Sequence, residues 1–256
     1  MASNDSTSKT IIVALVLCVV CSVFVSTAAV MLRPAQQANK DLDRKTNILA
    51  AAGMLQEGVS IDEQFASISA RAVDMATGKF TDAVDVATYD QRKASKDPAM
   101  SDDLGDADIA KIGRLPKYTL VYLVEGKSGI DKVILPIKGY GLWSTLYGFV
   151  ALESDLNTVA GLGFYEQQET PGLGGEVDNP VWKAKWIGKK SYDADNKQAL
   201  TVIKGTVDSS RPEAIHQIDG LSGATLTSRG VDHLIKFWMG EQGFAPFLAN
   251  LRAGEA

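Results

Sequence analysis

The segment best suited to chemistry is Asp219–Thr225, DGLSGAT, which directly precedes a run of apolar residues with helical periodicity. The run predicts a helix, so the segment forms its N-terminus, where backbone N–H groups have no partner within the helix. These donors and the helix dipole bind phosphate, and Gly223 and Ala224 allow an anion to approach the backbone. Plain helix capping by Ser222 or Thr225 explains the same residues, so both interpretations stay open.

A second segment, Glu169–Gly174, has the sequence ETPGLG. Proline fixes its own φ and glycine tolerates positive φ, so the segment predicts a type II turn with Pro171 at i+1 and Gly172 at i+2. A turn of this kind needs no ligand. Its residue types therefore leave a purely structural role open.

Several common chemistries are excluded. The chain has 26 Lys+Arg against 31 Asp+Glu, so no basic surplus attracts nucleic acid. Two His and two Cys cannot build a zinc ribbon or a multi-histidine centre, no carboxylate pair indicates an ion site, and no metal site is predicted. The pairs Gly139/Gly141 and Gly161/Gly163 lack the third glycine of a dinucleotide-binding loop. Ser222 is followed by only one histidine, His233 on the predicted helix, which disfavours a serine hydrolase.

The apolar patterns along the rest of the chain predict an α+β fold, a mostly antiparallel sheet with packed helices. Strand-like runs cover 119–125, 130–137, 147–152, 159–164 and 199–204, with a turn at Gly126–Gly129. Val231, Leu234, Ile235 and Trp238 recur at helical spacing and predict an amphipathic helix over 226–239, with Gly240 as its C-cap.

The N-terminal part contains an uncharged apolar stretch from Ile11 to Leu32, long enough for a transmembrane helix, with a cleaved signal peptide as the alternative. A helical rhythm around Leu42–Ala52 stops at Gly53, and Ile61, Phe65 and Ile68 indicate a second short helix. Residues 90–108 are charged and aperiodic, which predicts a surface loop. The expected divisions are a tail (1–10), the membrane helix (11–32), a stalk or cap (33–108) and a main domain (109–256).

The pair of segments, ETPGLG followed by DGLSGAT, resembles the signatures of the covalent FMN-binding domain family. Within that family the run Lys138–Trp143 (KGYGLW), the N-terminal anchor and the length are most similar to the C subunits of bacterial Na⁺-translocating NADH:quinone oxidoreductases. The resemblance covers essentially the whole chain.

The resemblance implies that a flavin transferase joins the phosphate of FMN to the Thr225 hydroxyl, with FAD as donor and Mg²⁺ required by the transferase. Asp219 and Ser222 would be recognised by the transferase or would shape the loop. The cofactor-binding residues implied by the two segments are Asp219, Ser222, Gly223, Ala224, Thr225, Glu169, Thr170, Gly172, Leu173 and Gly174. Trp143 could pack on the flavin or in the core, and Lys204, before a predicted turn at Gly205, could act on the flavin through its charge or be merely solvated.

The implied function is one-electron transfer by an FMN-carrying subunit of a membrane complex that moves electrons from NADH to quinone and exports Na⁺. The implied partners are the other subunits of that complex, the transferase and the bacterial inner membrane, with the FMN domain on the periplasmic side. The count of positive charges after the apolar stretch favours the opposite orientation, but large domains translocate largely regardless of charge. The alternatives are the G subunit of the Rnf electron-transport complex and a membrane-tethered module without redox function.

Overall fold

The computed structural model describes residues 6–126 and 129–256 of the chain. These residues divide into two compact units, one ending at Asp43 and the other running from Arg44 to Ala256. In the described residues the helices are α1 (Thr7–Ala51), α2 (Ile61–Phe65), α3 (Gln91–Ala94), α4 (Pro180–Ala184), α5 (Thr225–Trp238) and α6 (Ala245–Ala253). The strands are β1 (Ile68–Asp74), β2 (Lys79–Thr81), β3 (Ser101–Asp103), β4 (Arg114–Pro116), β5 (Tyr118–Gly126), β6 (Gly129–Tyr140), β7 (Thr145–Glu153), β8 (Val159–Glu166), β9 (Thr201–Val202) and β10 (Gln217–Ile218).

Helix α1 contains the apolar stretch and is longer than predicted. It begins at Thr7, includes Pro34 and ends at Ala51, so the predicted membrane helix and the helical rhythm after it belong to one element. Gly53, at φ +66°, follows its end as predicted. Among the described residues, α1 is the one helix whose length and composition suffice to cross a membrane.

The central sheet has the strand order β2-β1-β5-β6-β7-β8, and every pair in it is antiparallel. This confirms the predicted α+β class. Strand β6 alternates between two cores: Val133, Leu135 and Ile137 join the larger cluster, whereas Ile134 joins the smaller one. Since successive strand side chains point to opposite faces, the sheet is covered on both sides.

Helix α5 packs on the larger core. The four residues predicted to form its apolar face, Val231, Leu234, Ile235 and Trp238, are all fully buried. Trp238 Nε1–H also donates to the carbonyl of Lys138 in β6 at 2.7 Å. This packing holds the C-terminal half of α5 against the end of β6.

Two predictions for the chain before β5 are wrong. Ile68 does not continue a helix but begins β1, because it pairs with Val124 in a ladder with β5. Residues 90–108 are not a plain loop, since they contain α3 and β3. The Asp90 carboxylate caps α3 by accepting two backbone N–H bonds, a local contact that periodicity does not reveal. The division at residue 108 stays a prediction, and the central sheet contains strands from both sides of it.

Two predictions near the C-terminus need correction. The strand expected over 199–204 shrinks to β9, which pairs with β10 in parallel. On the side away from β10, the Val202 N–H donates to the Asp232 carboxylate of α5. Helix α5 is capped by Met239 rather than Gly240, in an ordinary right-handed conformation that needs no glycine. Of the predicted turn after β5, Gly126 pairs with Gly129, and residues 127 and 128 lie outside the described residues.

Candidate functional site

The DGLSGAT segment leads into α5 as predicted, and it follows the short strand β10. Gly223 has φ +70°, a conformation that favours glycine. The N-cap of α5 is Ala224, and no side chain makes a capping hydrogen bond there. Helix capping by Ser222 or Thr225 is therefore wrong, and the N-terminal N–H groups of a 14-residue helix are left without a side-chain cap.

Three hydroxyl groups lie in the first turn of α5, and they differ in exposure. Thr225 is exposed, whereas Thr227 and Ser228 are buried. The Thr227 hydroxyl donates to Glu169 Oε2 at 2.7 Å. The Ser228 hydroxyl donates to the carbonyl of Ala224 and accepts the N–H of Leu221. Of the three hydroxyls, that of Thr225 is the one a macromolecule in solution can reach.

Asp219 at the start of the segment is held from three directions. Its Oδ1 accepts the Val207 N–H at 2.7 Å, its Oδ2 pairs with the Lys185 ammonium, and its carbonyl accepts Trp182 Nε1–H at 2.8 Å. Partial burial alone would raise the pKa of the Asp219 carboxyl, but the bonds from Lys185 and Val207 outweigh it and lower the pKa below its ordinary value. The carboxylate therefore shapes the loop from within.

The ETPGLG segment forms the predicted turn. The Leu173 N–H donates to the Thr170 carbonyl at 3.1 Å, and Gly172 has φ +76°, as a type II turn requires. Leu173 projects outward and is 44% exposed. A β-carbon at Gly223 would lie 3.0 Å from Leu173 Cδ2, so the turn and the DGLSGAT loop are in contact.

Glu169 is almost fully buried and joins the turn to two other elements. Its Oε1 accepts the backbone N–H groups of Leu142, Trp143 and Ser144 at 3.0, 2.9 and 3.2 Å. Its Oε2 accepts the Thr227 hydroxyl of α5. We call this arrangement of Glu169, residues 142–144 and Thr227 the carboxylate hub.

Two glycines make room for the carboxylate hub. A β-carbon at Gly141 would lie 2.6 Å from Glu169 Oε1, and one at Gly174 would lie 2.5 Å from Thr227 Oγ1 and 2.8 Å from Glu169 Oε2. These distances are far below an ordinary carbon–oxygen contact. The hub therefore explains the last glycine of ETPGLG and the second glycine of KGYGLW.

An exposed apolar rim is formed by side chains on the elements that meet at the start of α5. It consists of Tyr140, Trp143, Leu173 and Leu226, which are 39%, 66%, 44% and 52% exposed. Core packing of Trp143, one of its two expected roles, is wrong. The Tyr140 hydroxyl bonds the Trp143 carbonyl, and Gly230, one turn after Leu226, abuts the Tyr140 carbonyl. Exposed apolar residues gathered at one place indicate a binding surface.

Comparison with known proteins gives the family. A family profile described as "FMN-binding domain" matches residues 141–240. The C subunit of the Na⁺-translocating NADH-quinone reductase of Pseudomonas aeruginosa is 58% identical over 261 residues, covering 100% of both chains. The C subunit from Vibrio vulnificus is 53% identical over 256 residues, covering 99% of each chain. The chain belongs to the family of these C subunits.

Solved structures of the C-subunit family share the fold. The crystal structure of NqrC from Shewanella oneidensis has a TM-score of 0.75 at 37% identity, covering 84% of this chain and 97% of that one. The crystal structure of the C subunit from Parabacteroides distasonis has a TM-score of 0.66 at 27% identity, covering 85% and 96%. The predicted resemblance is thereby confirmed, and with it the preference for the C-subunit family over the Rnf G subunit.

The remaining candidate residue, Lys204, lies outside the two motif segments. Lys204 is exposed and precedes Gly205, whose φ of +87° confirms the predicted turn. The Gly220 N–H donates to the Gly205 carbonyl at 2.9 Å, so this turn packs beside the DGLSGAT loop. In residues 6–126 and 129–256, no group of three or more His, Cys, Asp or Glu side chains is arranged to hold a metal ion.

Sequence reasoning missed Tyr140, Leu226 and Thr227. Tyr140 lies in the KGYGLW run, but a tyrosine beside two glycines gives no sign of its exposure. Thr227 is one of several neighbouring hydroxyls in the sequence. Its partner, Glu169, lies 58 residues away, and no local pattern connects the two.

Proposed function

We propose that the protein carries FMN, bound through its phosphate to the Thr225 hydroxyl, and serves as a one-electron transfer subunit of a Na⁺-translocating NADH-quinone reductase. The observation that carries the attachment site is the difference between the hydroxyls of α5. Thr225 is exposed at the helix N-terminus, while Thr227 and Ser228 are buried and hydrogen-bonded. The membership in the C-subunit family supports the role in the complex.

The attachment is a phosphoryl transfer from FAD by a separate flavin transferase that uses Mg²⁺. The Thr225 oxygen forms a new bond to the phosphorus of the FMN half. The bond between that phosphorus and the bridging oxygen to AMP breaks, AMP leaves, and the hydroxyl proton goes to a base of the transferase or to water. The product is a phosphodiester with one negative charge, which the N–H groups and dipole of α5 stabilise.

The surroundings of Thr225 suit a flat aromatic ligand. FMN, when bound, supplies the one-electron chemistry. The apolar rim of Tyr140, Trp143, Leu173 and Leu226 provides exposed contact area beside the attachment point. Asp219 shapes the loop through Lys185 and Val207, so it acts on attachment by presenting Thr225 rather than by touching the cofactor.

Helix α1 supports a membrane location. Its apolar stretch is long enough to span a bilayer, and its side chains are exposed, as a lipid-facing helix requires. We propose that it anchors the protein in the bacterial inner membrane with the FMN domain on the periplasmic side. The partners are then the other subunits of the complex, which pass electrons to and from the flavin.

Intact mass and in-gel ultraviolet fluorescence of the denatured protein, expressed beside a flavin transferase, test the proposal. The expected result is a fluorescent band with the added mass of FMN less water, mapped to the peptide that contains Thr225. The variant Thr225→Val should be dark at the unmodified mass. The control Ser209→Ala, which removes an exposed hydroxyl outside the DGLSGAT segment, should stay fluorescent.

A dark wild-type band beside an active transferase, shown on a control substrate, would refute covalent attachment. A fluorescent Thr225→Val band would move the attachment to another residue. The first result would favour the membrane-tethered module without redox function, and the second would favour a different acceptor.

A further inference from the structure

The buried carboxylate of Glu169 is the strongest feature whose role the proposed function does not explain. We infer that Glu169 is a positioning residue: it fastens the loop of residues 142–144 to helix α5 and holds a fixed negative charge against Thr227, two residues after the proposed attachment residue. This inference rests on the proposed function, because the charge acts on a flavin attached at Thr225. It assigns Glu169 a role other than direct contact with the cofactor.

The first step is the state of the side chain. Four groups surround its two oxygens, the N–H groups of Leu142, Trp143 and Ser144 and the hydroxyl of Thr227, and all four donate. An ionised carboxylate only accepts hydrogen bonds, so this environment is matched to the charged form. The charge is held by neutral dipoles, and the side chain is 5% exposed.

The second step is the connection that these bonds make. Oε1 holds three successive N–H groups of the loop between β6 and β7, which fixes the backbone that carries the exposed Trp143 ring. Oε2 holds Thr227, two residues after the attachment point. One side chain therefore sets the position of residues 142–144 relative to the first turn of α5.

The third step is the space around the carboxylate. Gly141 and Gly174 each leave a gap that a β-carbon would fill at 2.6 to 2.8 Å from a Glu169 oxygen. The loop, the turn and the helix therefore pack tightly around the Glu169 carboxylate and leave no space for a larger group. Glutamine has the same shape as glutamate without the charge, so replacing Glu169 by Gln distinguishes the electrostatic effect from the packing effect.

The fourth step is the effect on the flavin. Adding an electron to a ring near a fixed negative charge is less favourable, and burial weakens the screening of that charge. Glu169 therefore lowers the reduction potential of the flavin. The Thr227 hydroxyl dipole offsets part of the charge, so its removal should lower the potential further.

The test uses the full-length protein expressed with a flavin transferase, with the flavin potential measured by spectroelectrochemical titration. Glu169→Gln should retain the flavin and raise its potential. Thr227→Val, which keeps the charge and removes one donor, should shift the potential in the opposite direction. The control is Glu166→Gln, a half-exposed carboxylate paired with Arg92, which should leave the potential unchanged.

A second measurement needs no flavin. In the Thr225→Val background, hydrogen exchange of the Leu142, Trp143 and Ser144 amides should become about tenfold faster when Glu169 is replaced by Gln, since charge-assisted bonds become neutral ones. A flavin potential in Glu169→Gln equal to that of Glu166→Gln, or unchanged amide exchange, would overturn the inference. If wild-type protein carries no flavin, the proposed function fails, and the exchange measurement still decides the positioning role.

Discussion

Replacing Gly174 by Ala tests whether the carboxylate hub is as tightly closed as its distances indicate. The new β-carbon would lie 2.5 Å from Thr227 Oγ1 and 2.8 Å from Glu169 Oε2, two atoms that are hydrogen-bonded to each other at 2.7 Å. Both atoms belong to buried side chains. The substitution must therefore displace them and break their hydrogen bond.

The cost of Gly174→Ala has two parts. Overpacking of a closed site costs roughly 1–3 kcal/mol. Loss of a hydrogen bond to a charged group costs about 1.5–3 kcal/mol. We therefore expect a loss of about 3–5 kcal/mol in the free energy of unfolding, which corresponds to a fall of about 6–20 °C in Tm for a chain of this size.

The measurement is thermal and denaturant unfolding of the full-length protein in detergent, followed by tryptophan fluorescence. Gly163→Ala is the matched control: it is also a glycine of this domain, a β-carbon there would contact nothing within 4 Å, and its φ is not positive. It should change stability by less than about 0.5 kcal/mol.

A double-mutant cycle sharpens the test. Thr227→Ala removes the oxygen that the new β-carbon would strike, so Gly174→Ala should cost less in that background, by more than about 1 kcal/mol. Equal effects of Gly174→Ala and Gly163→Ala, or strictly additive effects of the substitutions at 174 and 227, would show that the hub relaxes around an added β-carbon and is not tightly closed.

Three further predictions concern single residues. Burial lowers the pKa of Lys138 to about 8, so the folded state loses this proton more easily than the unfolded state. The free energy of unfolding should therefore rise from about pH 8 to about pH 10.5. Lys138→Met should increase the free energy of unfolding at pH 7 by roughly 1–3 kcal/mol and abolish this pH dependence. Asp219→Asn should lower the free energy of unfolding by about 1 kcal/mol at pH 7. Because the pKa of Asp219 is lowered in the folded state, this difference should shrink as the pH falls below the ordinary carboxyl pKa. Denaturant unfolding at several acidic pH values measures it, and an unchanged difference would contradict the bond between Asp219 and Lys185. Leu173→Ala should keep the flavin mass but change the flavin fluorescence or potential, and an unchanged redox titration would remove Leu173 from the site.

The strands and the last amphipathic helix were predictable because their signals are local. Strands β5 to β8 are runs rich in apolar and β-branched residues, and their observed bounds extend the predicted runs by a few residues. Helix α5 shows four apolar residues at helical spacing, and all four are buried. Each signal lies within a window that the element itself occupies.

The short elements were not predictable, because distant contacts stabilise them. Strand β3 is held by Arg114, whose guanidinium bonds the hydroxyl and carbonyl of Ser101 from 13 residues away. Strand β9 is held on one side by β10 and on the other by Asp232 of α5, which accepts the Val202 N–H from 30 residues away. A periodicity argument contains no information about such partners.

At the site, the two motifs located the chemistry but did not separate the roles of their residues. In DGLSGAT, Thr225 faces solvent, whereas Asp219 is bonded to the protein itself. In ETPGLG, Leu173 faces solvent, whereas Glu169 is buried in the hub. Each motif therefore contains one residue placed to meet a ligand and one that builds the support beneath it.

This division gives the two classes of residue different signatures under mutation. A support residue such as Glu169 or Asp219 has several protein partners, so its replacement must lower unfolding stability even in protein without flavin. An outward residue such as Thr225 or Leu173 has few, so its replacement should alter flavin content or potential at little cost in stability. The free energy of unfolding of each variant, measured with and without the flavin, therefore distinguishes the two roles. The motif sequences alone do not distinguish them.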